Sequence, residues 1–300
     1  MKSVKPATTY RQQVKILQSR NVEVTDIKAC EQFLKNVNYY RLSAYLLSFR
    51  RKGTEKYNDV SFEQIVQIYL FDQQLRKLLY EIIDDIENRI RTQLAYYSGH
   101  KYGPLGYKEK ENYNANHNHD KFMKNIEACI KENKKSPIVQ HHQKEYNGEF
   151  PIWTIVDFFS IGNLSYFYRG MKTSDREEIA ANLFETGFKE MDSWMRCLTD
   201  LRNRCAHFAR LYYWIFPALP KIPKGDKFKS ERRLFSQIYM LKLMYGDKKK
   251  WNDEFLKNLE EIIEQYKGDI LLKNIGFPQN WREILKNEPE KETNKDTSKH

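Results

Sequence analysis

SFEQIVQIYLFDQQLRKLLYEIIDDIENRIRTQLAYY, residues 61–97, is the stretch whose reading decides the fold. Ser61 and Gln64 stand three apart as a capping box, the spacing with which a helix start satisfies its orphan amides. Behind them Phe62, Ile65, Val66, Tyr69, Leu70, Leu75, Leu78, Leu79, Ile82, Ile83, Ile86, Ile90 and Leu94 recur at intervals of three and four, which predicts one long helix with a broad buried face. Gly99 and Gly103-Pro104 read as its stop signals.

Outward from that helix the chain keeps the same period. Helices are expected over 10–19 and over 25–37, the latter capped by Thr25, with one more over 38–52. Residues 108–148 are polar and rich in Asn, Lys and His, with a helix near 120–132. Residues 151–168 are the most apolar stretch, where Gly162-Asn163 suggests a turn between two short helices. Ser174 with Glu177 reads as a second capping box, for a helix ending near Phe184. A helix starting within 186–191 is expected to run to Tyr213, after which Pro217, Pro220 and Pro223 impose an irregular, Lys-rich connection. Helices resume over 230–245 and 252–266. No internal repeat is visible. The reading is all-α: a helical bundle with a basic helical module over 1–58, a main helical domain over 59–285 with an insert around 108–148, and a charged tail over 286–300 expected to be disordered.

Composition narrows the function. With 300 residues and 40% hydrophobic content the chain can bury a real core. No apolar run approaches the ~20 residues of a membrane span, and residues 1–10 lack the apolar segment of a secretory signal, so a cytoplasmic protein with no membrane partner is expected. Cys30, Cys129, Cys197 and Cys205 form no CxxC pair and read as reduced thiols, with Cys205 filling core space. His117, His119, Asp120, Cys129, His141 and His142 match no compact tetrahedral spacing, so neither a metal nor a cofactor is expected.

The net charge of +11 is clustered. Residues 1–52 carry a balance of +8 and residues 221–250 a balance of +7, a distribution suited to a polyanion. Tyr39, Tyr40, Arg41, Tyr45, Phe49, Arg50, Arg51 and Lys52 interleave rings with cations, as contact with unpaired bases and phosphates requires. The alternative is that most of these rings belong to the core and only the cations meet nucleic acid. Arg41, Arg50, Arg51, Lys52, Arg204, Arg210, Lys224, Lys227, Lys229, Arg232 and Arg233 are the candidate RNA contacts.

Arg202-Asn203-Arg204-Cys205-Ala206-His207 places an arginine, an amide and a histidine within two helical turns. Arginine can neutralise a crowded phosphate, histidine can move protons near neutral pH, and asparagine can orient either one. Seventeen arginines and 7 histidines yield such a spacing by chance about once, so context has to carry the claim. On an unbroken helix Trp194, Leu198, Leu201, Cys205 and Phe208 fall in one stripe, with Arg196, Asn203, His207 and Arg210 opposite. An ordinary amphipathic helix with a solvated basic side has the same pattern. On that geometry Arg210, nearer the His207 face, is the better auxiliary cation than Arg204.

Five segments, 38–42, 62–76, 86–92, 151–153 and 201–207, together resemble the Abi-like proteins of bacterial abortive-infection systems, of the AbiD/AbiF type, whose catalytic part is a HEPN domain. The resemblance spans nearly all of residues 1–285. It implies a HEPN-type helical bundle and metal-independent RNA cleavage at an Arg-x4-6-His motif, with Arg202 and His207 at its defining positions and Asn203 as its polar residue. A second histidine often follows in such sequences; here the position is Phe208. Cleavage without metal most simply uses the substrate's 2′-hydroxyl as nucleophile, which needs a base, an acid and a cation. One histidine does not conveniently fill both proton roles. A homodimer bringing together two copies of Arg202, Asn203 and His207 is therefore expected, with 2′,3′-cyclic phosphate and 5′-hydroxyl products. Three readings stay open: a phage-defence endoribonuclease toxin; a non-catalytic RNA-binding protein, or a nuclease restrained by a bound structured noncoding RNA; and a helical interaction module with a decayed site.

Overall fold

A computed structural model describes Val4 and residues 6–288. The elements run α1 (Tyr10–Ser19), β1 (Val22–Glu23), α2 (Ile27–Asn36), α3 (Tyr39–Ser43), β2 (Val60–Ser61), α4 (Phe62–Tyr102), α5 (His119–Glu132), α6 (Pro137–Glu145), α7 (Ile152–Ile155), α8 (Ile161–Gly170), α9 (Thr173–Phe184), α10 (Phe188–Ala206), α11 (Leu234–Met244), α12 (Lys248–Lys250), a π-helical turn (Trp251–Leu256), α13 (Lys257–Tyr266) and α14 (Trp281–Leu285). The result is an all-α bundle. Its only sheet among the described residues is the parallel pair β1–β2, in register Val22 to Val60 and Glu23 to Ser61.

The axis of the bundle is α4. Ser61 caps it by accepting from the Gln64 amide at 3.0 Å, and 41 residues give it a length of about 61 Å. Ile68, Phe71, Leu75, Leu79, Ile83, Ile90 and Leu94 are all fully buried along it. Against this stripe pack α7, α9, α10, α11 and α13, while α10 also touches α8 and α9. The Trp194, Leu198 and Leu201 side chains of α10 are sealed inside, so truncating any of these to Ala costs about 2–5 kcal/mol.

Residues before α4 are tied onto it. The Thr25 hydroxyl donates to Glu63 at 2.9 Å, and the Tyr45 hydroxyl to Asp72 at 2.7 Å. The strand pair itself bridges residues 22–23 to residues 60–61. Part of the basic 1–52 segment, at residues 1–3 and 5, and the end of the charged tail, at 289–300, lie outside the described residues.

Several expected boundaries move for local reasons. Asp26, rather than Thr25, caps α2, accepting from the Ala29 amide. Residues 38–52 make only α3 and a 3-10 turn over Tyr45–Phe49 before the chain bends into the Arg50–Tyr57 bridge. Helix α9 starts at Thr173 with Lys172 at its cap, because Ser174 turns its hydroxyl to Asp175 instead. Helix α6 was not anticipated, although Ser136-Pro137 supplies a proline at its first position. Ser160 caps α8, so Gly162-Asn163 lies in its first turn rather than breaking it. Gly99 does not end α4; it lets the Trp153 ring lie against the helix, since a Cβ there would stand 3.2 Å from that ring.

Candidate active site

The main correction concerns the motif helix, which ends at Ala206 instead of continuing to Tyr213. Phe208 takes the left-handed conformation at φ 57°. The Ala209 amide then donates to the Arg204 carbonyl at 2.9 Å and the Phe208 amide to the Cys205 carbonyl at 3.5 Å, the pattern of a Schellman stop. A residue with a Cβ pays roughly 1 kcal/mol for that conformation. Phe208, expected in the apolar stripe, is consequently rotated out and 61% exposed.

What holds the stop in place is a buried carboxylate on α4. Asp72 accepts from the Leu211 amide at 3.0 Å, the Tyr212 amide at 2.7 Å, the Tyr45 hydroxyl and the Arg76 guanidinium. Asp72 and Arg76 are four apart on α4 and both buried. The Asp72 carboxylate, itself held by Arg76, anchors the Leu211 and Tyr212 amides just beyond the motif turn, so His207 is set by α4 and not by its own helix alone. Burial also pushes the Cys205 thiol up to about 12, which leaves it a packed, protonated group beside this network.

The motif residues occupy one end of α10. Arg202 is half-buried and its Nε donates to Glu87 Oε2 at 3.3 Å. Glu87 is itself buried and receives Arg91 through Oε1 at 2.7 Å. Arg91 continues to the Val156 and Phe159 carbonyls. One carboxylate thus faces two guanidiniums, which leaves a positive surplus, and no described residue bonds the two Nη groups of Arg202. Asn203 and His207 are both exposed, one turn apart, joined by the His207 amide to Asn203 carbonyl bond at 2.9 Å. The His207 imidazole has no hydrogen bond to any described residue.

The other candidate cations divide into two groups. Arg41 reaches the motif turn, donating to the Phe208 carbonyl at 3.3 Å. Arg204 is occupied structurally: its guanidinium lies 3.6 Å over the Trp214 ring, pairs with Asp200 and donates to the Arg210 carbonyl. Arg210 is off the helix, and its Nη1 is buried without a partner. The expected ranking of Arg210 over Arg204 therefore loses its basis, because it assumed a continuous helix. Arg233 is likewise engaged, with the Tyr213 ring and the Trp214 carbonyl. Arg50 bonds the Thr54 carbonyl at the surface. Arg51, Lys52, Lys224, Lys227, Lys229 and Arg232 are exposed. Of the interleaved rings, Tyr45 is buried and Tyr40 is 73% exposed.

The histidines of the insert meet rings rather than carboxylates. His117 stacks on Tyr113 at 4.1 Å, and His119 bonds the Lys108 carbonyl. Burial, then the neighbouring His119, pulls the His117 imidazole down to about 4. Among the described residues no three His, Cys, Asp or Glu side chains converge on a metal-sized point. No helix among them is long and apolar enough to cross a membrane. All four cysteines are free and buried.

Glu87, Arg91, Asp72 and Arg76 were not singled out from the sequence as site residues. Their signal is present: each pair stands four apart on α4, charges interrupting an otherwise apolar stripe. Charge on a buried face demands a partner, and here the partners are the motif and the turn that follows it.

No curated protein and no solved structure matches the chain. The family described as Abi-like protein matches residues 32–213, which takes in Arg41, Asp72, Glu87, Trp153 and the whole motif. That span is more than half of the 300 residues, and the chain belongs to the Abi-like protein family.

Proposed function

We propose that this protein is a phage-defence endoribonuclease of the HEPN type, which cuts RNA without a metal through a site made by two copies of the chain. The observation that carries the reading is the state of the motif: Arg202 held through Nε by Glu87, with Asn203 and His207 exposed on the next turn. A guanidinium gripped at Nε keeps its Nη donors for a phosphate. His207 of one copy takes the 2′-hydroxyl proton while His207 of the other protonates the leaving 5′-oxygen. Arg202 offsets charge on the pentacoordinate phosphorus, and Asn203 orients the neighbouring groups. The products are a 2′,3′-cyclic phosphate and a 5′-hydroxyl end.

The two-copy arrangement has a supporting surface. Phe208 and the 37%-exposed Tyr80 border a cleft of about 430 Å³ with Lys77 and Gln73, beside the motif. An exposed ring at a strained turn, with a second on α4 beside it, suits an isologous contact that juxtaposes the two motif ends. The exposed cations Arg51, Lys52, Lys224, Lys227, Lys229 and Arg232 also favour a second reading, in which a structured RNA is held without being cut or restrains the nuclease.

The deciding experiment compares wild type with His207→Ala and Arg202→Ala on mixed RNA in the presence of EDTA. Cleavage in wild type falls at least about a hundredfold in both variants, with RNA binding retained and cyclic phosphate ends in the wild-type products. Intact RNA with wild type, together with tight salt-sensitive binding, selects the binding protein instead. A strictly monomeric species at micromolar concentration rules out the composite site.

A further inference from the structure

Trp153 and Tyr96 are large rings left open where their neighbours are not. Ile152 and Ile155 of α7 are fully buried, yet Trp153 between them is 54% exposed; Leu94 and Ala95 of α4 are buried, yet Tyr96 is 62% exposed. Trp153 lies against α4 because residue 99 is glycine. The His100 ring lies against Tyr96, with ring centroids 3.9 Å apart, and lines the same groove. Both rings line one groove of about 630 Å³, together with Thr92, Val156 and Asp157. The Asp157 carboxylate is exposed and has no partner among the described residues.

The groove is joined to the motif by a short chain of contacts. Arg91, one of its lining residues, bonds the carbonyls of Val156 in the groove wall and of Phe159 beyond it, and shares Glu87 with Arg202. Glu87 and Tyr96 are nine residues apart on α4, about 14 Å at 1.5 Å per residue. Nine residues also carry the helix through about 180°, so the groove opens on the other side of α4 from Glu87, and a strand held at both places crosses the helix surface over several nucleotides.

We propose that this groove is a nucleobase subsite for single-stranded RNA, in which Trp153 and Tyr96 stack unpaired bases several nucleotides along the strand from the cleaved phosphate and Asp157 selects bases bearing an exocyclic amino group. It rests on the reading of the motif as an RNA site. Open π-faces accept any base, whereas a lone carboxylate placed at the 4-position edge accepts from the amino group of cytosine and there meets only the carbonyl oxygen of uracil, whose one donor is the N3–H. A protein of net charge +11 brings the polyanion to it. Aliphatic walls, which an apolar peptide or lipid would need, are confined to Ala95 and the buried Val156.

The test uses the full chain and short 2′-O-methyl oligocytidine and oligouridine, which lack the 2′-hydroxyl nucleophile, so that binding is read by fluorescence anisotropy without cleavage. Trp153→Ala and Tyr96→Ala each weaken oligocytidine binding about fivefold to a hundredfold, while Trp153→Phe retains most of it, which separates loss of stacking from loss of folding. Asp157→Ala brings oligocytidine down to the oligouridine level. Unchanged affinity in Trp153→Ala overturns the subsite, as does loss of self-association in that variant with RNA binding intact, which assigns the groove to a second copy. Absence of binding by wild type overturns both the subsite and the nuclease. Trp153-dependent binding by a protein that cuts no RNA supports the subsite and removes the nuclease alone.

Discussion

Substituting Glu87 tests whether the motif arginine is held from α4. The Arg91 contact is short, at 2.7 Å, with side-chain exposures of only 13% and 9%, and losing a charge-assisted bond in that setting costs about 2–3 kcal/mol. The Arg202 contact is longer, at 3.3 Å, and Arg202 is 26% exposed, so water compensates in part and the loss is about 1 kcal/mol. Glu87→Ala is thus expected to destabilise by about 3–4 kcal/mol, in the lower part of the 3–5 of a broken buried pair, because Arg91 keeps the Val156 and Phe159 carbonyls. Glu87→Gln preserves the shape and one acceptor, and costs about 1–2 kcal/mol. Urea unfolding with an unchanged m-value reads both. A double-mutant cycle with Arg202→Met isolates the second contact as about 1 kcal/mol of coupling. On the proposed RNA cleavage, Glu87→Gln is expected to lower kcat by about ten- to a hundredfold through misplacement of Arg202. Stability within 0.5 kcal/mol of wild type, with no coupling to Arg202, would refute the idea that Glu87 positions the motif.

Asp72→Ala strips four donors of this acceptor and leaves Arg76 buried with only the Tyr45 hydroxyl in place of a carboxylate; a loss of about 3–5 kcal/mol is expected in thermal or urea unfolding, and a loss under 1 kcal/mol contradicts the anchoring role. The His117 imidazole is pulled down to about 4 from 6.5, so the unfolded chain binds the proton first. The stability His117 contributes is complete above pH 6.5 and falls by up to about 3 kcal/mol as pH drops towards 4; urea midpoints at several pH values should show a shallower acid loss in His117→Phe than in wild type, and equal slopes contradict the role. Phe208→Gly relieves the left-handed strain and raises stability by up to about 1 kcal/mol; if the exposed ring serves the contact between copies, sedimentation shows weaker self-association at the same time, and unchanged association removes Phe208 from that contact.

The chain by itself determined the helical class, the long α4 and the position of the motif, because each is written in local spacing: the Ser61–Gln64 cap, the three-and-four recurrence from Phe62 to Leu94, and the six residues from Arg202 to His207. Local spacing also misled. The same period that located α10 carried the helix past Ala206, since neither Phe208 nor Arg210 marks a stop; the stop depends on Asp72, more than a hundred residues earlier, accepting from Leu211 and Tyr212. Gly99 was read as an end signal and is a seat for Trp153, a ring that approaches from another helix. Cations that looked equivalent in the sequence, Arg204, Arg233 and Arg232, were separated only by what folded beside them: Trp214, Tyr213, and solvent. Periodicity is a property of neighbours along the chain, whereas the availability of a charge or the end of a helix depends on groups brought near by packing. Tertiary structure alone therefore decided that Arg202 is gripped by Glu87 while His207 is left open.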